Sequence, residues 1–276
     1  MSVIPQWLAR TYRYKQLRYK AAIHFQRRNS WQTITQFFRL PTQYSVLAGP
    51  VVELFESELR HRRLEIVVIG SSSGEEVYSI IAALLRNRPG LDFHVFAYDI
   101  SAEVLERAES AHYDSAAVLK SHIPENLRDT CMDRLDDEFV VKEPLRRFAT
   151  FAKADILSSN FITEIKQGDI VFAQNLLFNL DRSKAKHAFK NIVSVMRPRS
   201  VLFCEGMDLD LRTRLTRQFG LEPLEYEIEK IHEDGRVSRR NGWPYHYWGL
   251  EPFARNRNDW RRRYSTIFLK QTNPTS

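Results

Sequence analysis

The stretch that most constrains the fold is residues 67–80, VVIGSSSGEEVYSI, in which an apolar run stops at a glycine. The apolar run predicts a buried strand, the small residues from Gly70 to Gly74 predict a tight turn, and the pattern after them predicts a helix. In an α/β protein such a turn is where a cofactor binds, because glycine lets the backbone approach it closely and helix N–H groups point at it. The two glutamates that follow, without the lysine of a P-loop, argue against a phosphate and favour a cationic ligand or ribose hydroxyls.

Strands and helices alternate along the rest of the chain, which predicts a doubly wound, mostly parallel α/β sheet. The predicted strands are 64–69, 93–98, 169–173 and 201–205, and the predicted helices are 75–88, 102–111, 182–196 and 212–219. Short strands at 138–141 and 148–152 predict a small antiparallel β insertion over 112–152, and 224–232 with 265–270 is predicted to be a last antiparallel pair. Amphipathic patterns at 6–28 and 43–60 predict two helices, so a helical extension (1–60) is expected before a cofactor-binding domain (61–276).

Composition and charge narrow the classes of function. The 276 residues are 43% hydrophobic and 27% charged, as in an ordinary globular protein, and no apolar run approaches the roughly 20 residues of a membrane helix. With no secretory signal and only Cys131 and Cys204, we expect a cytoplasmic protein without membrane insertion, disulfide framework or metal site. Eight positive charges precede the first carboxylate, Glu53, whereas the rest of the chain is near neutral. This basic segment predicts an acidic protein surface, nucleic acid or anionic lipid as partner, with a solvated helix face as the alternative interpretation.

Two polar residues follow the predicted strands at the edge where open α/β sheets bind ligands. Asp99 comes about 20–30 residues after the glycine loop, which is the position from which an acidic side chain binds ribose hydroxyls. Asn175 follows the strand at 169–173 and carries an amide that both donates and accepts hydrogen bonds. Loop, acid and amide together favour a nucleoside cofactor, although a helix cap at Asp99 and a turn at Asn175 remain alternative interpretations.

These motifs resemble those of a known family. Residues 70–80, GSSSGEEVYSI, are similar to a loop often written GCSTGEEPYSIA, and residues 35–39, TQFFR, are similar to the T-x-F-F-R segment upstream of it. Asp99 with Ile100, the AHY at 111–113, and Asn175 stand where that family has Asp-Ile, Gly-x-Tyr and the Asn of C-R-N-V-L-I-Y-F-D. Over roughly residues 33–205 the chain thus resembles the chemotaxis receptor (CheR-type) methyltransferases, which use S-adenosylmethionine to methylate glutamate side chains of chemoreceptors.

The resemblance implies a sheet of the class I methyltransferase type, S-adenosylmethionine as cofactor, and O-methylation of a glutamate on an acidic, chemoreceptor-like protein. Arg39 and Asn175 are the implied catalytic residues, Arg39 as a bidentate donor to the incoming carboxylate or, alternatively, as a structural ion pair. The implied cofactor-binding residues are Thr35, Arg39, Gly70, Ser72, Gly74, Glu76, Asp99, Ile100, Asp155, Asn175 and Leu176.

The chain also departs from the family pattern. Gln174 stands where the family has arginine, and residues 178–180 (FNL) replace Ile-Tyr-Phe. We also expect the family's N-terminal helical domain to be shortened to about one basic helix. Cofactor binding is still expected, but the acceptor is left open. A non-catalytic relative that binds cofactor or partner is one alternative. A nucleic-acid methyltransferase is another, suggested by tyrosines interleaved with the basic N-terminal residues.

Overall fold

The computed structural model describes residues 35–240 and 252–271. The predicted helix at 6–28, and with it most of the basic N-terminal segment, lies outside these residues. No described helix is both long enough and apolar enough to cross a membrane.

Ten described strands form a seven-stranded sheet and a separate three-stranded sheet. They are β1 (Leu64–Ile69), β2 (Phe93–Asp99), β3 (His112–Asp114), β4 (Met132–Leu135), β5 (Glu138–Val141), β6 (Ala149–Lys153), β7 (Gly168–Phe172), β8 (Met196–Phe203), β9 (Leu221–Pro223) and β10 (Ile267–Lys270).

The large sheet has the strand order β6-β2-β1-β7-β8-β10-β9. Every pairing in it is parallel except the two that β10 makes with β8 and β9. The chain leaves β1 on one side towards β2 and returns on the other to β7, so the carboxyl ends of β1 and β7 flank the point at which the winding reverses. Ligands bind at this point in open α/β sheets. The prediction of a doubly wound, mostly parallel sheet is confirmed.

Helices cover both faces of the large sheet. They are α1 (Pro41–Val46), α2 (Glu56–Leu59), α3 (Glu75–Asn87), α4 (Ala102–Ser110), α5 (Ser115–Leu119), α6 (Glu125–Cys131), α7 (Glu143–Arg146), α8 (Phe161–Glu164), α9 (Arg182–Ser194), α10 (Leu209–Gln218), α11 (Ile228–Arg240) and α12 (Trp260–Tyr264). On the face covered by α1 and α3, Phe172 and Phe203 are buried and stack with ring centroids 4.3 Å apart. On the face covered by α9 and α10, Phe189 and Leu202 are buried. Because successive strand residues point to opposite faces, β1, which is apolar except for Glu65, serves both layers.

The three-stranded sheet is antiparallel, with β5 between β3 and β4. It confirms the predicted β insertion, but the strand predicted at 148–152 does not belong to it. That segment is β6, which pairs in parallel with β2 through Val95 and Ala149 at the edge of the large sheet. A short run of β-forming residues carries no information about its partner strand, so only tertiary pairing decides which sheet it joins.

Two further predictions about secondary structure are wrong. The helix expected over 43–60 is interrupted at Gly49, whose φ of −98° and ψ of −111° are not helical, next to Pro50. Proline has no N–H to give to a helix, so this break was readable in the sequence. The strand expected over 224–232 is mainly α11, whose Ile228 and Ile231 are buried three residues apart. The antiparallel neighbour of β10 on its outer side is instead the short strand β9.

Candidate functional site

The glycine loop leaves β1 with a sharp turn at the carboxyl edge of the sheet. The backbone amides of Gly70 and Ser71 both donate to Tyr98 O, at 2.7 and 3.0 Å. Gly70 has a φ of +78°, and a Cβ there would lie 3.3 Å from Leu176 Cδ1. The predicted residues Gly70 and Leu176 therefore pack against each other, in a conformation that favours glycine.

Asp99 is the last residue of β2 and ties the loop to the neighbouring strand. Its Oδ2 accepts from the Ser72 amide at 2.9 Å and its Oδ1 accepts from the Ser101 amide at 3.0 Å. Each carboxylate oxygen keeps a second lone pair, so Asp99 can hold the loop and still accept from ligand hydroxyls. Next to it, Ile100 is 59% exposed and offers an apolar surface at the same edge.

Asp155 also lies at this edge, because the amide of the preceding residue, Ala154, donates to Asp99 O at 2.9 Å. The Asp155 side chain is exposed, and its Oδ1 accepts from the Leu157 amide at 2.9 Å. The carboxylate thus stabilises the turn after β6 while facing solvent beside Asp99.

The predicted segment 35–39 folds onto the start of α3. The Phe38 amide donates to Ser79 Oγ at 3.0 Å, and the Thr35 hydroxyl is hydrogen-bonded to the Glu75 carboxylate. Burial raises the pKa of Glu75, whereas hydrogen bonds, including those from Ser73 and Thr35, and the charge of Arg39 lower it. The structure therefore brings Thr35 and Arg39 together with the glycine loop, although they are far apart from it in the sequence.

Glu76 and Glu205 form a buried pair of carboxylates, 6% and 9% exposed. Burial raises the pKa of Glu76 to about 7; Arg39 opposes this rise and Glu205 adds to it. Glu205 follows β8 at the carboxyl edge, and the sequence analysis missed it. The rule that placed Asp99 and Asn175 at strand ends also applies to Glu205, so a signal was available.

Asn175 has a φ of +52°, which asparagine tolerates better than most residues. Its backbone N–H donates to the backbone oxygen of Glu205 at 2.9 Å. The preceding residue, Gln174, donates through Nε2 to Gln43 Oε1 at 2.5 Å, and Gln43 donates to Thr266 Oγ1 at 2.6 Å. At the position where the resemblance implies an arginine, this chain thus has a neutral amide bound to α1.

Two hydroxyls of the glycine loop provide a test of whether the site fits a polar cofactor. Among the described residues, the buried atoms Ser71 Oγ and Ser72 Oγ have no hydrogen-bond partner. Buried polar atoms are normally hydrogen-bonded, so a polar ligand in the loop would satisfy them. Together with Asp99 for hydroxyls and Glu76 for a positive charge, the loop fits a cationic nucleoside such as S-adenosylmethionine.

Comparison with known proteins gives several similar methyltransferases. The "Probable biofilm formation methyltransferase WspC" of Pseudomonas aeruginosa is 30% identical over 74% of this chain and 48% of its own length. A protein of Vibrio cholerae named chemotaxis protein methyltransferase 2 is 29% identical over 61% of this chain and 59% of its own. The chemotaxis protein methyltransferase of Salmonella typhimurium is 27% identical over 68% and 64%. The match thus spans about half to two thirds of the length of these relatives.

Among solved structures, an O-methyltransferase family protein from Burkholderia thailandensis superposes with a TM-score of 0.38 at 14% identity, over 84% of this chain and 58% of that chain. Residues 33–217 match the family model described as "CheR methyltransferase, SAM binding domain". This match includes the segment 35–39, the glycine loop, Asp99 and Asn175, and it identifies the cofactor as S-adenosylmethionine. The chain therefore belongs to the CheR methyltransferase family.

Proposed function

We propose that this protein transfers a methyl group from S-adenosylmethionine to a glutamate side chain of an acidic, chemoreceptor-like protein. The observation that carries the proposal is the position of Arg39, whose charge acts on both Glu75 and Glu76 at the start of α3. An arginine at the cofactor loop offers a planar pair of donors, which is the geometry that a carboxylate acceptor requires. Relatives named chemotaxis protein methyltransferases support the same acceptor class.

The chemistry of a carboxylate acceptor suits this set of side chains. A glutamate has an ordinary pKa of about 4.3, so it is already an anionic nucleophile near neutral pH and needs no general base. When bound, the cofactor supplies an electrophilic methyl group on a sulfonium. The protein then has to align two reactants and exclude water, which accounts for a large part of the rate of such transfers.

Four of the predicted site residues have a direct role in this scheme. Arg39 orients the acceptor carboxylate, and Glu76 balances the positive charge of the methyl donor. Asp99 holds the ribose hydroxyls while its bond to the Ser72 amide fixes the loop. Asn175 precedes Leu176, which packs against Gly70, so its side-chain amide would help to hold the methyl-donor end of the cofactor. The neutral Gln174 lowers the positive charge on the acceptor side relative to the family pattern, so we expect Arg39 to contribute a larger share of acceptor binding here.

The test is incubation of the purified protein with methyl-tritiated S-adenosylmethionine and the cytoplasmic fragment of a chemoreceptor, followed by release of base-labile methanol. We expect methyl ester formation that Arg39→Ala reduces at least 100-fold, mainly through kcat/KM, because a bidentate charged contact contributes about 3 kcal/mol. The matched control is Arg60→Ala, since Arg60 is exposed at the end of α2. Cofactor binding without any methyl ester would favour the non-catalytic alternative, and methylation of RNA or DNA instead would refute the acceptor class.

A further inference from the structure

Tyr113, in the first strand of the small sheet, reaches across to the cofactor loop. Its hydroxyl donates to Ser73 O at 2.7 Å, 40 residues away in sequence. The base of the loop is held from β2, through the bonds of Gly70 and Ser71 to Tyr98 O. Tyr113 holds the other end, immediately before α3 begins.

The fit between Tyr113 and the loop is close. Gly74 has a φ of +93°, and a Cβ at this position would lie 3.0 Å from Tyr113 Oη and 3.0 Å from Ala108 Cβ. Contacts of 3.0 Å are tighter than those that most Cβ atoms make, and the positive φ adds strain for any other residue, so this loop conformation favours glycine at position 74.

Tyr113 is also fixed within the small sheet and against the segment 35–39. It pairs with Phe139 at the centre of the β3–β5 register. Its ring contacts Phe37 edge-on, with centroids 4.8 Å apart, and Phe37 O accepts from the His122 amide at 3.2 Å. The small sheet therefore cannot shift relative to the loop without moving the Tyr113 hydroxyl or the Phe37 ring.

The surroundings keep this hydroxyl protonated. Burial raises the pKa of Tyr113 well above its ordinary value, and the neighbouring Glu75 raises it further. The hydroxyl is thus available as a donor to Ser73 O throughout the physiological pH range.

We propose that Tyr113 is a positioning residue that couples the three-stranded sheet to the cofactor loop, so that occupancy of the cofactor site and local opening of the small sheet are linked. Ligand binding that fixes the loop also fixes Ser73 O, and through Tyr113 it reduces opening of β3 and β5. By reciprocity, a partner that orders the small sheet tightens cofactor binding.

The first measurement is calorimetric titration with S-adenosylhomocysteine, the demethylated cofactor. Tyr113→Phe keeps the ring and removes the bond to Ser73 O, and we expect its Kd to rise about threefold to tenfold, as for loss of one buried hydrogen bond. Tyr78→Phe is the matched control. The Tyr78 hydroxyl, also buried, donates to a backbone carbonyl outside the glycine loop, Ala108 O at 2.8 Å. The Kd of Tyr78→Phe for S-adenosylhomocysteine should stay within twofold of the wild-type value.

The second measurement is amide hydrogen exchange of residues 112–141 with and without S-adenosylhomocysteine. We expect the ligand to slow exchange in β3 and β5 of the wild type and of Tyr78→Phe, and to lose this effect in Tyr113→Phe. A purely structural role for the hydroxyl would lower stability without removing the ligand dependence. The proposal is overturned if S-adenosylhomocysteine leaves amide exchange in the small sheet of the wild type unchanged. This outcome is measured on the wild-type protein alone and does not depend on whether a variant folds. It is also overturned if both tyrosine variants weaken binding equally.

Discussion

Lowering the pH from about 8 to about 6 is expected to weaken S-adenosylmethionine binding roughly tenfold, because it protonates Glu76. Burial and the proximity of Glu205 raise the pKa of this carboxyl to about 7 in spite of Arg39. A bound cation favours the ionised form and returns the pKa towards its ordinary value. At about pH 6, roughly nine-tenths of Glu76 is neutral in the free protein, so cofactor binding must release close to one proton. The apparent Kd for S-adenosylmethionine therefore rises about tenfold between about pH 8 and about pH 6.

The assay is calorimetric titration near both pH values, in two buffers of different ionisation enthalpy, so that proton release is measured together with the Kd. Glu76→Gln should lose the proton release and most of the pH dependence, which separates the effect from titration of the ligand itself. Glu103→Gln, on the exposed side of α4, is the matched control. If the wild type binds equally well at both pH values and releases no proton, the assignment of Glu76 to the positive charge of the cofactor is refuted.

The same pKa shift has the opposite consequence for the free protein. A raised carboxyl pKa means that the fold favours the neutral form, so this contribution to stability is complete below the unfolded value of 4.5 and is lost as the pH rises through about 7. Glu76→Gln should therefore raise the Tm of the ligand-free protein near pH 8 while it weakens cofactor binding. Such a loss of stability is expected where a functional site keeps an ionised carboxylate buried.

Two further predictions concern positions with well-defined packing. Gly74→Ala should destabilise the protein by about 2–4 kcal/mol, because it adds tight contacts of 3.0 Å to the strain of a positive φ. Gly90→Ala, with a φ of +86° and open space around it, should cost only about 1 kcal/mol, and equal losses in urea unfolding would contradict the packing argument. Asp169→Asn should cost about 2 kcal/mol, because this 1% exposed carboxylate bonds Arg62 at 2.7 Å and Arg197 at 3.0 Å. It should leave the Kd for S-adenosylhomocysteine unchanged, since these groups lie at the opposite edge of the sheet, and a changed Kd would show that they act on the site.

Local patterns predicted the elements around the glycine loop well. The strand at Leu64–Ile69 has the predicted bounds, and the helix at Glu75–Asn87 ends one residue early. Both are long runs with strong periodicity and clear boundaries, a stop at Gly70 and at Pro89. Segments without such signals were less predictable. Residues 224–232 alternate in polarity like a strand, yet most of them form α11, because burial of Ile228 and Ile231 against neighbouring elements outweighed the local pattern.

The residues of the functional site also divide into those that local patterns predicted and those that only the tertiary structure revealed. The strand-end rule found Asp99 and Asn175 and should have found Glu205, since all three lie at the carboxyl ends of strands of the large sheet or just beyond them. No local pattern could place Arg39 beside Glu76, because the two belong to different elements and meet only when the segment 35–39 folds onto α3.

The sequence by itself determined where the cofactor loop is, since only a glycine-bounded turn between a buried strand and a helix satisfies residues 67–80, and its motifs indicated the family. Tertiary structure decided what surrounds the loop: the parallel pairing of β6 with β2, the buried carboxylate pair, and the bond from Tyr113 to Ser73 O. The physical reason is that backbone conformation depends on neighbouring residues, whereas burial, charge coupling and strand partners depend on contacts across tens to more than a hundred residues of sequence.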